Sequence, residues 1–553
     1  MDQQGRDLLD MDSRMFSKKE SIDSFHQEIA EYFYPERANF TGEITLGEEF
    51  ATHLTDFTPV MVRRNLADQI GSLVRPSDRE WFKKSVENKE VRRDVAAKDF
   101  LEFMTATTRS ILYSRDSGFR RMAKEHENDF AAFGAGASLV SYSADRSNLL
   151  MKCHHLKDMA FGENQAGQVD HAHRKADMTA RSMLALFKSE DKFPQSVKDA
   201  LARRDEKSTF KLRHIFVPLT TYDPYRKFPK WAKWADVYVT EDGKILQEIP
   251  SETFDYVISR WQTVSGSVYP FSPATVVALP QARMLQRMMH TLIEAGEKRV
   301  DPPLIATEDA VTSAVSLQAG AITYLDAEYD ERMGAALRPL DLGKDVGLGE
   351  ALINDSREML AEAFFLNKLA PLSSRDKNMT AYEASQLVGE FIRNALPLFD
   401  PIEDEWTDNL LEVCTSKIMR AGGYGPIDAN GIPEDLPDSL LGQDIKNQFS
   451  NALREARERQ TINAFVESAQ LIDAAASIDQ GALAEVNTRT MFRDAFGAVP
   501  GGSADWLNGE QEAAQTRQQL NEQANAEAQV AEIAQGADVV EAIGQAAQSV
   551  GAA

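Results

Sequence analysis

Two periodicities divide this chain: helical spacing of apolar positions towards both ends, and strand-like alternation over the interval between them. Ile22, Phe25, Ile29 and Phe33 fall on one face and predict a helix over 18–34, ended by Pro35. A second helical block covers 57–75, with Val60, Arg63, Arg64 and Leu73, and stops at Pro76. RPSDREWFKK (Arg75–Lys84) reads as a turn followed by an aromatic anchor. Helices are expected again across 91–134, up to the glycine-rich FGAGAS of Phe133–Ser138. Segments 137–142, 150–156 and 159–161 then read as short strands, with GENQAGQ (Gly162–Gln168) as a turn. Residues 211–220 and 235–249 look like further strands, the latter a hairpin through Glu241-Asp242-Gly243. The interval 137–270 is therefore expected to be α+β, built of antiparallel pieces.

From Pro273 the spacing is helical again. Residues 274–300 predict one helix of about 40 Å at about 1.5 Å per residue, stopped by Pro302-Pro303. A second of similar length runs from about Asp345 to Leu369 and stops before Pro371. Two matched helices enclosing a short irregular stretch, which includes GAITYLDAEY (Gly320–Tyr329), predict a protruding hairpin with a small head. The block Met379–Gly423 reads as a helix pair. Thr380 and Glu383 match a capping box, and Ala384, Leu387, Val388, Phe391, Ile392 and Ala395 form an apolar stripe. Pro397 and Pro401 break it, Trp406, Leu410 and Val413 continue it, and Gly422-Gly423 close it. GPIDANGIPEDLPD (Gly425–Asp438) is a loop, and helices are expected over 439–476 and 480–496. The Gln/Ala/Glu-rich tail from Gly509 fits a solvated helix, an oligomeric coil or disorder, with sparse apolar positions such as Leu520 and Val530.

Composition narrows the class. At 553 residues the chain exceeds what one core usually serves, and 43% hydrophobic with 27% charged residues is the balance of a folded protein. The net charge of −25 argues against a coat that wraps nucleic acid by neutralising phosphates. It leaves open a surface past which DNA slides ungripped, and the plainer reading that acidity serves solubility. Two cysteines, Cys153 and Cys414, make no disulfide framework and fit a reducing compartment. The acidic start MDQQGRDLLDMD lacks the apolar core of a secretory signal, and no apolar run approaches the ~18 residues of a membrane span. A soluble protein with no membrane partner is expected.

Several phrases, in order and at consistent spacing, resemble the head-to-tail connector family of short-tailed bacteriophages, the podovirus-type portal proteins. They are SPATVVALPQARMLQRMMHTLIEAGEKRVDPPLIA (Ser272–Ala306), GAITYLD (Gly320–Asp326) and MTAYEASQLVGEFIRNALPLFDPIEDEW (Met379–Trp406). PSDREWF and FGENQAGQVDHAHRKADMTA (Phe161–Ala180) add to them, so the resemblance spans roughly 20–425. It implies a mainly α protein with an α+β wing, in the portal fold of wing, two-helix stem, clip and helical crown, assembled as a ring. The corresponding segments are 1–272 for the wing, 273–302 and 344–370 for the stem helices, and 303–343 for the clip. Residues 371–425 would hold a channel loop and wing helices, 426–508 the crown, and 509–553 a tail or barrel helix. The resemblance further implies a homo-oligomeric ring, usually of twelve subunits, at one capsid vertex of the virion, assembled in the host cytoplasm. Double-stranded DNA passes through it without sequence preference during packaging and ejection. Major capsid and scaffolding proteins, terminase and tail adaptor proteins are its partners. No cofactor, metal or catalytic residue is implied, and the protein is expected not to be an enzyme.

Candidate residues follow. Arg283, Arg287 and His290 share a face of the first long helix, where they would meet solvent, a neighbouring subunit or the channel lumen. The loop PLSSRDKNMT (Pro371–Thr380) falls where the family has a loop entering the channel, so Arg375 and Lys377 are candidates for weak phosphate contact. In the clip, Tyr324, Leu325 and Tyr329 offer partner contacts or strand packing between subunits. Two other readings compete. One is a different ring-shaped adaptor or hub of the virion. The other is a metal-dependent enzyme built on His154, His155, His171 and His173, since an H-x-H pair on a strand points both rings one way. No G-x-x-x-x-G-K-[ST] loop or G-x-S-x-G elbow occurs, so packaging ATPase activity is expected in a partner.

Overall fold

A computed structural model describes residues 3–43, 47, 51–76, 80–88, 90–143, 148–187, 190–205, 207–223, 228–300, 304–306, 337–339, 346–369, 401–427, 433–449, 465–474, 477, 487–497, 513, 515–520 and 522–523. In chain order its principal helices are α1 (Gln3–Phe33), α2 (Thr58–Val74), α3 (Val95–Leu112), α4 (Phe119–Phe133), α5 (Ala180–Phe187), α6 (Gln195–Ala202), α7 (Leu219–Tyr222), α8 (Leu279–Val300), α9 (Val346–Ala363), α10 (Leu366–Leu369), α11 (Asn409–Arg420) and α12 (Thr488–Gly497). Its strands are β1 (Phe82–Val86), β2 (Ala135–Tyr142), β3 (Leu149–Cys153), β4 (Met159–Glu163), β5 (Val169–Thr179), β6 (Thr209–Pro218), β7 (Trp234–Thr240), β8 (Ile245–Ser251), β9 (Tyr256–Arg260), β10 (Gln262–Val264), β11 (Ser267–Phe271), β12 (Leu304–Ala306), β13 (Leu337–Pro339) and β14 (Ile445–Phe449). Helix with antiparallel sheet is the class that the sequence predicts. Two compact units divide the chain and interleave along it: 1–81 with 108–418, and 82–107 with 419–553.

In the first unit, the strands β4-β5-β6-β7-β8 form an antiparallel sheet in that order, and β3-β2-β9 form a second. Alternation sorts the side chains of the larger sheet to two faces. Leu212 of β6 and Tyr238 of β7 pack with Met183, Phe193 and Val197 of the α5–α6 cover. Ile215, Val217, Val237 and Val239 point the other way, towards Leu8 of α1 and the short α7. Each fully buried aliphatic side chain of this kind contributes about 1.5–3 kcal/mol. The expected hairpin through Glu241-Asp242-Gly243 is present, with Gly243 at φ +76° and β7 paired to β8.

Helix α1 begins well before the expected residue 18. Its first half buries polar groups that a pattern search reads as solvated. Asp12 accepts from His173 Nδ1 at 3.1 Å and from Arg213 Nε at 2.9 Å, so the strap is bolted to β5 and β6 by a shared carboxylate. Further along, the buried Lys19 ammonium pairs with Asp23 at 2.8 Å and donates to the Leu156 carbonyl. Arg63 of α2, also buried, donates to the Phe33 carbonyl at 3.1 Å and lies 3.9 Å from the Tyr34 ring centre. Helix α4 turns straight into β2 at Gly134, whose φ of +75° and close approach to Phe271 and Ser272 exclude a Cβ.

The long hairpin is present. After a wide turn at Ala274–Ala278, α8 runs antiparallel to α9. Gln281 Nε2 lies 2.9 Å from Met359 Sδ, and a Cβ on Gly349 would come within 3.4 Å of Leu292 Cδ1. These two contacts fix the register of the struts. Beyond Val300, β12 and β13 pair antiparallel, Leu304 opposite Pro339, across the foot of the intervening stretch. The second strut is broken at Phe365, a bulky residue at φ +57°, stacked on Trp261 with ring centres 6.1 Å apart. Among the described residues no helix is long and apolar enough to cross a membrane.

In the second unit the sequence reading needs correction. Lys83 and Lys84 follow the aromatic anchor within a strand, β1, which pairs antiparallel with β14, Phe82 opposite Phe449. Residues 445–449 are thus extended where a helix over 439–476 was expected. The strand is secured by Lys84 Nζ on Asn447 Oδ1 at 2.6 Å and by the Lys84 amide on Thr105 Oγ1 at 2.9 Å. The capping box at Thr380 and Glu383 and its apolar stripe lie outside the described residues. Trp406, Leu410 and Val413, expected to continue that helix, belong to the first unit and are buried.

Asp129 tests the polar interior. It is buried and takes a bidentate pair from Arg37, at 3.1 and 2.9 Å. Burial pushes its carboxyl up and Arg37 opposes that. Asp129→Ala leaves the guanidinium without its partner, and the expected loss is about 3–5 kcal/mol, read as a fall in the urea midpoint. An unchanged midpoint would show that the pair contributes nothing.

Candidate functional site

The root of the hairpin is the best-defined polar site. On α8, Ala282 and Leu285 face the body, and Gln286 lies in the same buried stripe. Its amide closes around the backbone of the loop before α2. Oε1 accepts from the Thr55 amide at 2.8 Å, the Asp56 amide at 2.9 Å and the Thr55 hydroxyl at 3.0 Å. Nε2 donates to the Asp56 carbonyl at 2.6 Å. The Asp56 carboxylate does two further jobs. Oδ1 accepts from the amide of Thr58, the first residue of α2, at 2.7 Å, and Oδ2 accepts from Arg357 of α9 at 2.7 and 3.0 Å. Both struts and α2 are thereby joined through one loop. Burial works to raise the Asp56 carboxyl, but the Thr58 hydroxyl and amide and Arg357 outweigh it and hold the group below its ordinary 3.8.

Above this joint lies the candidate stripe of α8. Arg283 Nε donates to Glu28 of α1 at 2.6 Å, so its charge is matched within the chain. Arg287 is exposed. His290 lies 3.8 Å from Glu294, one turn on. Towards its end the helix is open to solvent nearly all round, and Val300 is 88% exposed, as befits a strut leaving the body. Arg375 and Lys377 lie outside the described residues, as do Tyr324, Leu325 and Tyr329.

A second knot receives the chain as it returns at residue 401. Arg260, 3% exposed, donates to Glu405 at 2.6 Å, to Glu163 at 2.9 Å and to the Gly167 carbonyl at 2.7 Å. Next to Glu405, Trp406 stacks on His126 at 4.8 Å, and Arg75 lies 5.3 Å from its ring while pairing with Glu127. His126 spans Ser138 and Ser259, 2.7 Å from each hydroxyl, and burial pushes its pKa down to about 3.

The four histidines of the metal reading turn to separate partners. His154 Nδ1 lies 3.3 Å from Arg174, His155 Nδ1 accepts from the Lys157 amide at 3.1 Å, His171 Nδ1 meets Asp170 at 2.7 Å, and His173 is held by Asp12. Gly162, across the hairpin, makes room for the His171 ring, since a Cβ there would fall 2.1 Å from it. Among the described residues no group of three or more His, Cys, Asp or Glu is placed to hold a metal ion.

Two polar joints and a strut hairpin thus hold charged faces on a scaffold, an arrangement suited to positioning and contact. Over residues 7–504 the sequence matches the family described as bacteriophage head to tail connecting protein. The chain belongs to that family. It is 23% identical over 545 residues to the probable portal protein of Bordetella phage BPP-1, covering 97% of this chain and 95% of that one. It is 22% identical over 529 residues to the portal protein of Salmonella phage epsilon15, covering 94% and 91%. Helical spacing and flanking prolines picked out the struts, but no sequence signal singled out Asp56, Gln286, Arg357, Arg260 or Glu405. Local pattern carried one hint, the D-F-T-P of Asp56–Pro59, where an acidic residue precedes a helix start with proline in its first turn.

Removing the joint has a measurable sign. A carboxyl depressed in the folded state adds stability above its ordinary pKa and loses it as pH falls through the lower folded value. The stability gap between the native chain and Asp56→Asn is therefore expected to be full near neutrality and to close as pH falls below the ordinary carboxylate value of 3.8 and through the lower folded one. Urea midpoints across that range check it; a gap independent of pH would contradict it. Gln286→Leu, which strands two loop amides, is expected to cost about 1–3 kcal/mol.

Proposed function

We infer that this chain is the portal subunit of a short-tailed phage, a ring at one capsid vertex through which the genome enters and leaves. The single observation that carries this is the family match along nearly the whole chain; the antiparallel α8–α9 hairpin, rooted on a mixed α+β body, supports it. In this reading the hairpin is the stem and the strands β12 and β13 are the foot of the clip. Residues 1–272 with 371–425 supply the wing and channel loop, 426–508 the crown, and 509–553 a tail or barrel helix. Twelve subunits close the ring, which acts by packing and electrostatics and leaves ATP hydrolysis to terminase. Capsid, scaffolding, terminase and tail adaptor proteins dock on it, first in the host cytoplasm and then in the virion. Duplex DNA passes without sequence preference.

Arg375 and Lys377 are proposed to touch passing phosphates from the channel loop, weakly enough to permit sliding. Arg283 and Arg287 face the lumen or the next subunit. Tyr324, Leu325 and Tyr329 serve the clip's contacts.

Electron microscopy of the purified protein tests the whole reading. The expected particle is a ring whose lumen admits duplex DNA and which fits one capsid vertex; a solid or fibrous assembly would refute it. Arg375→Glu with Lys377→Glu is expected to leave ring assembly intact and to alter packaging or genome retention. Normal packaging and retention in that double mutant would end the channel-loop assignment. Deleting residues 305–340 is expected to abolish terminase or tail attachment, and retained attachment would refute the clip assignment.

A further inference from the structure

At the centre of the β1–β14 ladder an amine and a carboxamide face each other. Lys84 stands directly opposite Asn447, with Phe82 and Phe449 paired two positions to one side and Val86 and Ile445 two to the other. Side chains two apart in a strand share a face, so both polar groups lie between apolar neighbours. Phe82, Val86 and Phe449 are buried, and Lys84 itself is 6% exposed. The Lys84 backbone amide turns away from β14 and donates to Thr105 Oγ1 of α3 at 2.9 Å. The pair is therefore of the kind that exchanges no ladder bonds, in which opposite side chains stand closest. Lys84 Nζ comes 2.6 Å from Asn447 Oδ1, although the two residues are 363 apart in sequence. A carbonyl bond is about 1.23 Å long, so Nζ is also within about 3.8 Å of Asn447 Cγ.

Groups held this way by folding react as parts of one molecule, and fixed proximity is the condition under which a weak nucleophile and a weak electrophile combine. An amine attacks as its free base, a form that apolar surroundings favour. We propose that Lys84 and Asn447 join as an isopeptide, a crosslink that the folded chain makes in itself. The lone pair of Nζ adds to Asn447 Cγ, and the bond from Cγ to Nδ2 breaks. A proton passes from Nζ to Nδ2, which leaves as ammonia. Nothing is oxidised or reduced, and the step needs no co-reactant. Asn447 is half-buried, so its departing nitrogen has a way to solvent. The bond ties the stretch 82–107 to the one that begins at 419, the two parts of the second unit. It stands whether or not copies of the chain close into a ring.

The test uses the full chain, purified folded and then weighed in denaturant by mass spectrometry. Circular dichroism melts taken beforehand check that the native chain and each variant are folded. The native chain is expected to be lighter than its sequence by one molecule of ammonia. Its tryptic digest is expected to contain one branched peptide that carries both Lys84 and Asn447. Lys84→Arg and Asn447→Ala are each expected to keep the full sequence mass and to yield no branched peptide. A folded native chain at full sequence mass would overturn the proposal. So would a loss of ammonia that persists in Lys84→Arg, because it would then come from another amide closing on its own backbone.

Discussion

The hairpin depends on one loop of four residues. Leu54–Phe57 gives its backbone to Gln286 of the first strut and its carboxylate to Arg357 of the second and to the start of α2. Two long helices in contact with each other can still pivot on whatever carries them. A buried amide bonded to consecutive peptide groups removes that freedom, because pivoting would leave polar backbone groups unpaired at about 1–3 kcal/mol each. The joint is therefore stiff for reasons of desolvation more than of attraction. It also lets a charge near the struts be felt in the body, since Asp56 is at once their anchor and a cap.

The rest of the first unit repeats this device. Arg260, Asp129, Glu127 and Asp12 are buried, and each is met by opposite charge from a distant part of the chain. Such pairs are weak sources of net stability, because desolvating both ions offsets most of their attraction. Their effect is to penalise wrong arrangements: an α1 shifted along the sheet would strand Asp12, and a misplaced residue 405 would strand Arg260. The apolar faces of β6 and β7 supply the stabilisation, and the charged bolts define which packing it stabilises.

How much of this was legible follows from where each signal resides. The central strands and the two struts could be read because alternation, helical spacing and flanking prolines are local. The first half of α1 could not, since it is bolted to the sheet through Asp12, a residue whose polarity marks a solvated segment until its partners are known. β14 was read as helix because a five-residue strand with three charged or amide side chains has little pattern of its own; its pairing with β1 makes it extended. The same limit hid the joint. Gln286 interrupts an apolar stripe, and nothing near it in sequence announces a loop some 230 residues earlier.

The interleaving of the two units has a consequence for synthesis. The partner of β1 is β14, separated from it by most of the chain. At about 5–20 residues per second a ribosome takes tens of seconds to supply it. Throughout that delay a nascent chain carries an extended segment whose natural mate does not yet exist. On a polysome of identical messages, a chain further along already displays that mate. Correct maturation of such a protein is thus a kinetic contest between waiting for oneself and borrowing from a neighbour, and chain concentration sets its odds.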